Sequence, residues 1–269
     1  MPELPEVETI VRDLRKSVVG SEIRKVLFLN NTIWRSRRPT ARSLAGRRIE
    51  EIGRKGKHIL IHLSGDRTLI VHLKMTGRLI FDAECNPITK HTHLVLALDN
   101  GEVRFNDIRR FGYLDLVKSS RLDDVNYLKQ LGPDPLKISE RDFTEVVRSR
   151  NKMIKALLLD QNVIAGLGNI YSDEALFVAG IHPARVSSRI SKVRAGRLHR
   201  AVVAVLKAAI RARGSSVDDY VDGSGKRGSF QNYLKVYGRG GESCRRCGSA
   251  VMQIRQGQRS SFYCPTCQK

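Results

Sequence analysis

Long apolar runs are missing from this 269-residue chain. Stretches such as Ile59-Leu60-Ile61 and Ala156-Leu157-Leu158-Leu159 fall far short of the roughly 20 residues a helix needs to cross a bilayer. The first residues are acidic and lack the basic-then-apolar pattern of a secretion signal. A cytoplasmic protein is therefore expected. Internal repeats and low-complexity tracts are also absent. Acidic residues are in short supply, with 27 Asp plus Glu against 48 Lys plus Arg, a formal charge of +21. Such a balance suits a polyanion, whose condensed counterions are released on binding. No long basic amphipathic segment points to a membrane surface instead. The basic residues are spread through 35–54, 185–213 and 239–259, and read as one folded basic face whose expected partner is nucleic acid.

Cysteine is sparse too, with five in the chain. Four of them form Cys244-x2-Cys247-x16-Cys264-x2-Cys267, two close pairs at the separation of a four-thiolate zinc site on paired hairpins. Disulfides are disfavoured without a secretion signal, and two matched pairs argue against a redox dithiol. Gly248 lets the backbone turn under the metal. The zinc expected here is structural. Cys85 is left over as an inert thiol.

What is present at the start of the chain is a helix. Leu4, Val7, Ile10, Val11, Leu14 and Val18 recur at helical spacing, and Gly20 sits where the helix should stop. A stripe that begins at residue 4 implies a packed first turn. With Met1 removed, Pro2 becomes a positioned secondary amine, flanked by Glu3 and Glu6 at the positive end of the helix dipole. An α-amino group titrates near about 8, against about 10.4 for Lys, so much more of it is neutral and nucleophilic at neutral pH. Amines attack carbonyl-type carbons to form Schiff bases, and a neighbouring carboxyl can move protons. A simpler reading competes: Pro is a favoured helix start, and acids in the first turn stabilise it.

Short, β-branched, often alternating segments follow at 21–29, 47–52, 58–63, 68–73, 79–81, 92–98, 102–105 and 113–117, with Asp99-Asn100-Gly101 as a hairpin signal. They predict an antiparallel sandwich or barrel. Gly132-Pro133-Asp134-Pro135 marks a boundary. Helical spacing then covers 139–149, 153–160, 169–180 and 189–212. Residues 214–228 are polar and Gly-rich, expected to be a mobile loop, and 230–237 leads into the zinc module.

Several constellations could carry chemistry. Gly166-Leu167-Gly168-Asn169-Ile170-Tyr171 joins two helices, with Asn169 as the expected N-cap and free backbone N–H groups suited to a phosphate. An ordinary helical hairpin would need the same glycines. Met75 and Phe111 stand at turns, the latter in Asp107-Ile108-Arg109-Arg110-Phe111-Gly112. Apolar wedges flanked by Arg kink duplexes, although such residues taken singly are more often core. Lys57 lies where a strand begins, and Arg259 between the two zinc knuckles; each could be an ordinary basic surface residue. His91 and His93 on one strand face could be a metal pair, a phosphate contact or plain surface.

Together these residues resemble the bacterial formamidopyrimidine-DNA glycosylase family. The markers are Met1-Pro2-Glu3-Leu4-Pro5-Glu6-Val7-Glu8-Thr9, Lys55-Gly56-Lys57, His72-Leu73-Lys74-Met75-Thr76-Gly77, Arg109-Arg110-Phe111-Gly112, Leu131-Gly132-Pro133, the Gly166–Tyr171 turn, Tyr237-Gly238 and Cys264-Pro265-Thr266-Cys267-Gln268-Lys269. The resemblance implies an α+β protein: residues 1–133 an N-terminal catalytic β-sandwich with a leading helix, 134–237 a helix-two-turn-helix domain with a lesion-capping loop at 215–237, and 238–269 a zinc finger. It implies a bifunctional glycosylase and AP lyase that removes 8-oxoguanine and formamidopyrimidines from double-stranded DNA, working as a monomer with one structural zinc and no catalytic cofactor. By the same resemblance Pro2 is the nucleophile, Glu3 the acid, Lys57 and Arg259 the further catalytic residues. His72, Met75, His91, Arg109, Phe111, Arg150 and Asn169 match DNA contacts, with Met75, Arg109 and Phe111 filling the gap left by the flipped nucleotide. Ile108 stands where the family commonly has Pro, a change expected to loosen the wedge loop. The sister endonuclease VIII type, which prefers oxidised pyrimidines, and a non-catalytic zinc-ribbon DNA binder are the competing readings.

Overall fold

A computed structural model describes residues 1–35, 39–217 and 219–269. Arg37 and Arg38, part of the first basic stretch, lie outside the described residues, as does Asp218 in the Gly-rich segment. By packing, the chain forms two units: Met1–Lys129 with Ala212–Ser229, and Gln130–Arg211 with Phe230–Lys269.

The first unit opens with α1 (Leu4–Val18), whose apolar stripe is almost fully buried. Eight strands follow: β1 (Ile23–Phe28), β2 (Ile49–Lys55), β3 (His58–Leu63), β4 (Arg67–His72), β5 (Gly77–Asp82), β6 (Thr92–Leu98), β7 (Gly101–Asp107) and β8 (Tyr113–Val117). They form two four-stranded sheets, ordered β1-β6-β7-β5 and β2-β3-β4-β8. Every strand pairing is antiparallel. Side chains from both sheets, among them Ile59, Ile61, Leu69, Val71, Leu94, Leu96, Val103 and Phe105, make one core that α1 joins through Val7, Ile10, Val11 and Leu14. This is the sandwich that alternating β-branched residues dictate. Leu98 pairs with Gly101, so Asp99 and Asn100 form the two-residue turn the sequence signals. Strand β2 runs further than its sequence pattern, to Lys55, which pairs with His58 and leaves Gly56 and Lys57 at a hairpin tip.

The Gly-rich segment belongs by packing to this unit rather than to the helices. It is not a loose loop. Buried Asp222 accepts from Arg213 Nε (2.8 Å), the Ser224 amide (3.0 Å) and the Lys226 amide (2.9 Å). Arg213 also reaches Asp13 of α1 (2.6 Å), and the Gly223 carbonyl accepts from the Phe81 amide of β5 (2.9 Å). Polar contacts thus hold a segment that has few apolar residues of its own.

The second unit holds α3 (Glu140–Arg148), α4 (Ile154–Leu159), α5 (Asn169–Ala179) and α6 (Lys192–Arg211), and a hairpin of β9 (Met252–Gln256) and β10 (Arg259–Tyr263). The short α2 (Asn126–Lys129) closes the first part of the chain. Ser139 caps α3 by accepting from the Asp142 amide, and Gly180 ends α5 in the left-handed conformation. No helix among the described residues is long and apolar enough to cross a membrane.

Asp222→Ala removes a buried acceptor of several donors and should cost about 1–3 kcal/mol of stability. Urea unfolding checks the cost, and trypsin cleavage at Arg213 and Lys226 should accelerate. Unchanged midpoint and cleavage would mean that Asp222 does not organise the segment.

Candidate DNA-repair site

The amino-terminal end of α1 is buried. Pro2 is buried, and Glu3 and Glu6 are only 3% and 2% exposed. The two acids form a capping box in which the Glu3 side chain accepts from the Glu6 amide and the Glu3 amide donates to Glu6 Oε2 (2.8 Å). The other Glu6 oxygen accepts from the Ser215 amide (2.8 Å), and the Tyr220 hydroxyl donates to the Glu6 carbonyl (3.4 Å). Gly214, at φ +82°, leaves room for this approach: a Cβ there would lie 2.9 Å from Glu6 Oε1 and 2.9 Å from the Tyr220 ring. Burial first, and the nearby Glu6 carboxylate next, hold the Tyr220 phenol well above its ordinary pKa, so its proton stays on. Helix capping and chemistry are therefore compatible at these residues. The capping box fixes the carboxylates, and the same contacts fix the residue before them.

A second cluster lies on the β3-β4-β8 sheet, where His58, His72 and Tyr113 form one row across three strands. His58 Nε2 is 2.8 Å from the Tyr113 hydroxyl and its Nδ1 is 3.3 Å from the Lys55 carbonyl. A carbonyl can only accept, so His58 carries its proton on Nδ1 and Tyr113 donates to Nε2. His72 Nδ1 accepts from the Lys74 amide (3.0 Å), leaving Nε2 as its donor. Arg35 lies over the rings of Tyr113 and Tyr127, at 4.8 and 4.1 Å. Burial, chiefly, and the charges of Lys74 and Arg35 lower His58 to about 4. Burial, His58, Lys74 and Lys57 hold His72 well below the usual imidazole range. Lys57, beside these rings at its hairpin tip, is 6% exposed, which is unusual for a lysine.

The expected wedge residues occupy two adjoining loops tied together by Asp107. This buried carboxylate accepts from the Thr76 hydroxyl, the Arg109 amide (3.2 Å) and the Gly112 amide (2.7 Å). Thr76 also accepts from the Arg109 amide (3.2 Å). Gly112 must be glycine, since a Cβ would lie 2.8 Å from the Phe105 ring. Phe111 is 54% exposed with the Arg109 guanidinium 4.6 Å from its ring, and Met75 is half-buried. Lys74 and Arg110, at φ +50° and +56°, hold left-handed turns that non-glycine residues rarely adopt. Ile108 is exposed as well and contributes nothing to this bracing.

His91 is half-buried and its carbonyl accepts from the Asp107 amide (2.9 Å). His93 is buried with Nε2 2.7 Å from the Asp107 carbonyl, a satisfied core residue. Among the described residues neither belongs to a group of three or more side chains placed to hold a metal ion.

In the second unit Asn169 is the first residue of α5 and Gly168 the N-cap, one position earlier than the sequence suggests. Asn169 Oδ1 is buried with no hydrogen-bond partner among the described residues. Half-buried Arg150 donates to the Val146 carbonyl (3.1 Å) and Ser149 (3.2 Å). Arg259 is exposed at the start of β10. The thiols of Cys244, Cys247, Cys264 and Cys267 all lie within 4.8 Å of one another. Sulfur atoms of a tetrahedral zinc site stand about 3.8 Å apart, given Zn–S bonds of about 2.3 Å. The four cysteines therefore fit one structural zinc.

Sequence reasoning gave no role to the braces: Asp107, Tyr113, Tyr220, and the adjacent acids of α5. Glu174 accepts from the amides of Lys235, Val236 and Tyr237 at 2.9–3.0 Å. Asp173, whose carboxyl burial pushes upward and the Lys155 ammonium holds down, pairs with Lys155.

Comparison with known proteins finds three family models along the chain. A model of the formamidopyrimidine-DNA glycosylase N-terminal domain matches residues 1–114, its H2TH domain 131–221, and a zinc finger found in FPG and IleRS 241–269. The formamidopyrimidine-DNA glycosylase of Desulforamulus reducens is 44% identical over 100% of this chain and 99% of its own length. That of Solibacter usitatus is 45% identical, with full coverage of both chains. A mutant of Lactococcus lactis FPG, solved with Fapy-dG-containing DNA, is 35% identical with a TM-score of 0.93 over 100% of both chains. The wild-type Lactococcus lactis FPG, solved with DNA containing an oxidised pyrimidine, is 35% identical with a TM-score of 0.92 over 100% of both.

A β-sandwich with a buried leading helix, an H2TH module and a four-cysteine finger define a zinc-finger DNA glycosylase of DNA repair. The chain belongs to the formamidopyrimidine-DNA glycosylase family.

Both histidines of the sheet cluster have lower pKa values folded than unfolded. Between the unfolded value of 6.5 and about 4, the unfolded chain binds more protons than the folded one. Stability should therefore fall as pH drops through that window, by up to about 1.4 kcal/mol per pH unit for each group. Urea midpoints from pH 7 to 4.5 test this, and His58→Gln should flatten the slope. Cys264→Ser should lower zinc content well below one per chain, because three thiolates hold the ion poorly; full zinc by atomic absorption would refute it.

Proposed function

We propose that this chain is a bifunctional glycosylase and AP lyase that removes 8-oxoguanine and formamidopyrimidines from double-stranded DNA, acting as a monomer. The observation that carries the reading is the buried, capped start of α1, which would hold a Pro2 amine, once Met1 is removed, in one position beside Glu3.

The Pro2 nitrogen attacks C1′ of the damaged nucleoside. The glycosidic bond breaks and the base leaves with its electron pair, taking up a proton. Glu3 protonates the ring oxygen as the sugar opens. The resulting iminium has no N–H proton to shed and remains an electron sink. It acidifies the 2′ proton, whose loss expels the 3′ phosphate; a second elimination expels the 5′ phosphate. Lys57 and Arg259 bind the phosphates around the lesion. His72, His91, Arg150 and Asn169 hold the backbone, His72 as a neutral Nε2–H donor. Met75, Arg109 and Phe111 fill the space of the everted nucleotide. Flipping costs a few kcal/mol, and braced wedges with phosphate contacts offset it. The 215–237 segment closes over the base.

Borohydride reduction on an 8-oxoguanine duplex should trap a covalent adduct, and mass spectrometry of the free protein should show Met1 absent. Met1-free protein that gives no adduct overturns the lyase reading. The solved Lactococcus lactis complex with an oxidised pyrimidine makes thymine glycol the necessary comparison substrate. Faster release of the pyrimidine would move the chain to the pyrimidine-preferring type.

A further inference from the structure

We propose that the buried Lys155–Asp173 ion pair is the positioning device for Arg259: it takes the place of a missing third strand beside β10 and fixes the strand that carries the arginine. This rests on the role given to Arg259 above.

Lys155 lies on α4 and Asp173 on α5, and their side chains are 1% and 0% exposed. Nζ stands 2.8 Å from Asp173 Oδ1. The same ammonium donates to the Ser260 carbonyl (2.7 Å), and Asp173 Oδ2 accepts from the Phe262 amide (3.0 Å). Ser260 and Phe262 alternate along β10, whose one neighbour in the hairpin is β9. In an antiparallel ribbon, backbone groups of alternate residues point to the open edge, where an unpaired donor and acceptor would be left. Here a carboxylate meets the donor and an ammonium meets the acceptor. The ion pair therefore completes the ladder of β10 in register, starting one residue after Arg259.

Stability alone does not call for such a pair. Burying two charges costs several kcal/mol per ion, and an apolar pair of similar volume often serves as well or better. An apolar contact lets a hairpin slide or tilt, whereas hydrogen bonds from fixed charges to a carbonyl and an amide set its register. Two further ties point the same way. Glu174 holds the incoming chain at 235–237, and Gln256, opposite Arg259 in the hairpin, accepts from the Ser261 hydroxyl (2.6 Å). Neither member of the pair reaches solvent, so neither touches DNA; Arg259 is exposed and can.

The test is a double-mutant cycle in the full-length zinc-loaded protein, with Lys155→Met, Arg259→Ala and the double variant. Single-turnover excision and strand cleavage on an 8-oxoguanine duplex are read alongside zinc content and duplex affinity. Lys155→Met should keep its zinc and bind DNA within about threefold of the parent, yet react about tenfold or more slowly, as a small misplacement of a transition-state group does. In the Arg259→Ala background the same change should cost no more than about twofold, since coupled residues do not add. Lys155→Arg retains the charge and guards against misfolding of the Met variant; it should show a smaller loss that also vanishes without Arg259. Additive losses, or an unchanged rate in Lys155→Met, overturn the proposal. Arg259→Ala with a parental rate removes Arg259 from the mechanism and the proposal with it, an outcome distinct from additivity.

Discussion

The buried start of α1 is the constraint on which the rest of the first unit depends. Chain ends normally fray, because ordering them costs backbone entropy with little burial in return. Here Leu4, Val7 and Ile10 are completely or almost completely buried and anchor the first turns of α1. That burial carries Pro2, Glu3 and Glu6 inward with it. Two carboxylates withdrawn from water need donors. The helix end supplies some through its unpaired amides and dipole, and the capping box uses them reciprocally. The Ser215 amide, 209 residues further along the chain, supplies another. The Gly-rich segment is thus recruited to the first unit by an unmet electrostatic need at the terminus, and the Asp13–Arg213–Asp222 contacts hold it there.

The same pattern runs through the molecule. Acids are outnumbered in a chain of +21, and several of them are placed inside as acceptors for irregular backbone. Asp107 braces the 107–112 loop, Asp222 its own segment, and Glu174 the chain entering the zinc finger. Each loop gains a rigid conformation without a large apolar cluster of its own. Withdrawing these acids from the surface also leaves the outer charge more positive than composition implies, which favours a polyanion.

How much of this was legible in the sequence depends on its range. The short apolar runs of β3 and β4, the Asp99–Asn100 turn and the stripe of α1 are local signals, and the elements stand where those signals put them. The four cysteines gave the metal site, because ligand spacing is itself local. The packing of 212–229 was not legible, since polar Gly-rich sequence reads as a loop until its distant partners are known. Gly168 displaces Asn169 as the N-cap for a related reason: cap preference is a small energy that the turn's backbone overrides. Asp107 and Tyr113 carried no signal of their own in the sequence. Their meaning lies in partners brought together by sheet register, which a one-dimensional pattern does not contain.

Register also explains the electrostatic surroundings of the two histidines in the sheet cluster. Lys57, Lys74 and Arg35 already crowd the His58–His72–Tyr113 row with positive charge. Another fixed cation there would raise repulsion within a buried group, where screening by water is weak. A neutral imidazole avoids that repulsion and still donates along one direction. The direction is set because Nδ1 of His72 is occupied by the Lys74 amide, and the facing ring of His58 is in turn fixed by Tyr113 and the Lys55 carbonyl. The cluster combines a cationic surround with one ring N–H of set direction, and burial chiefly, with those neighbouring charges, lowers both imidazole pKa values.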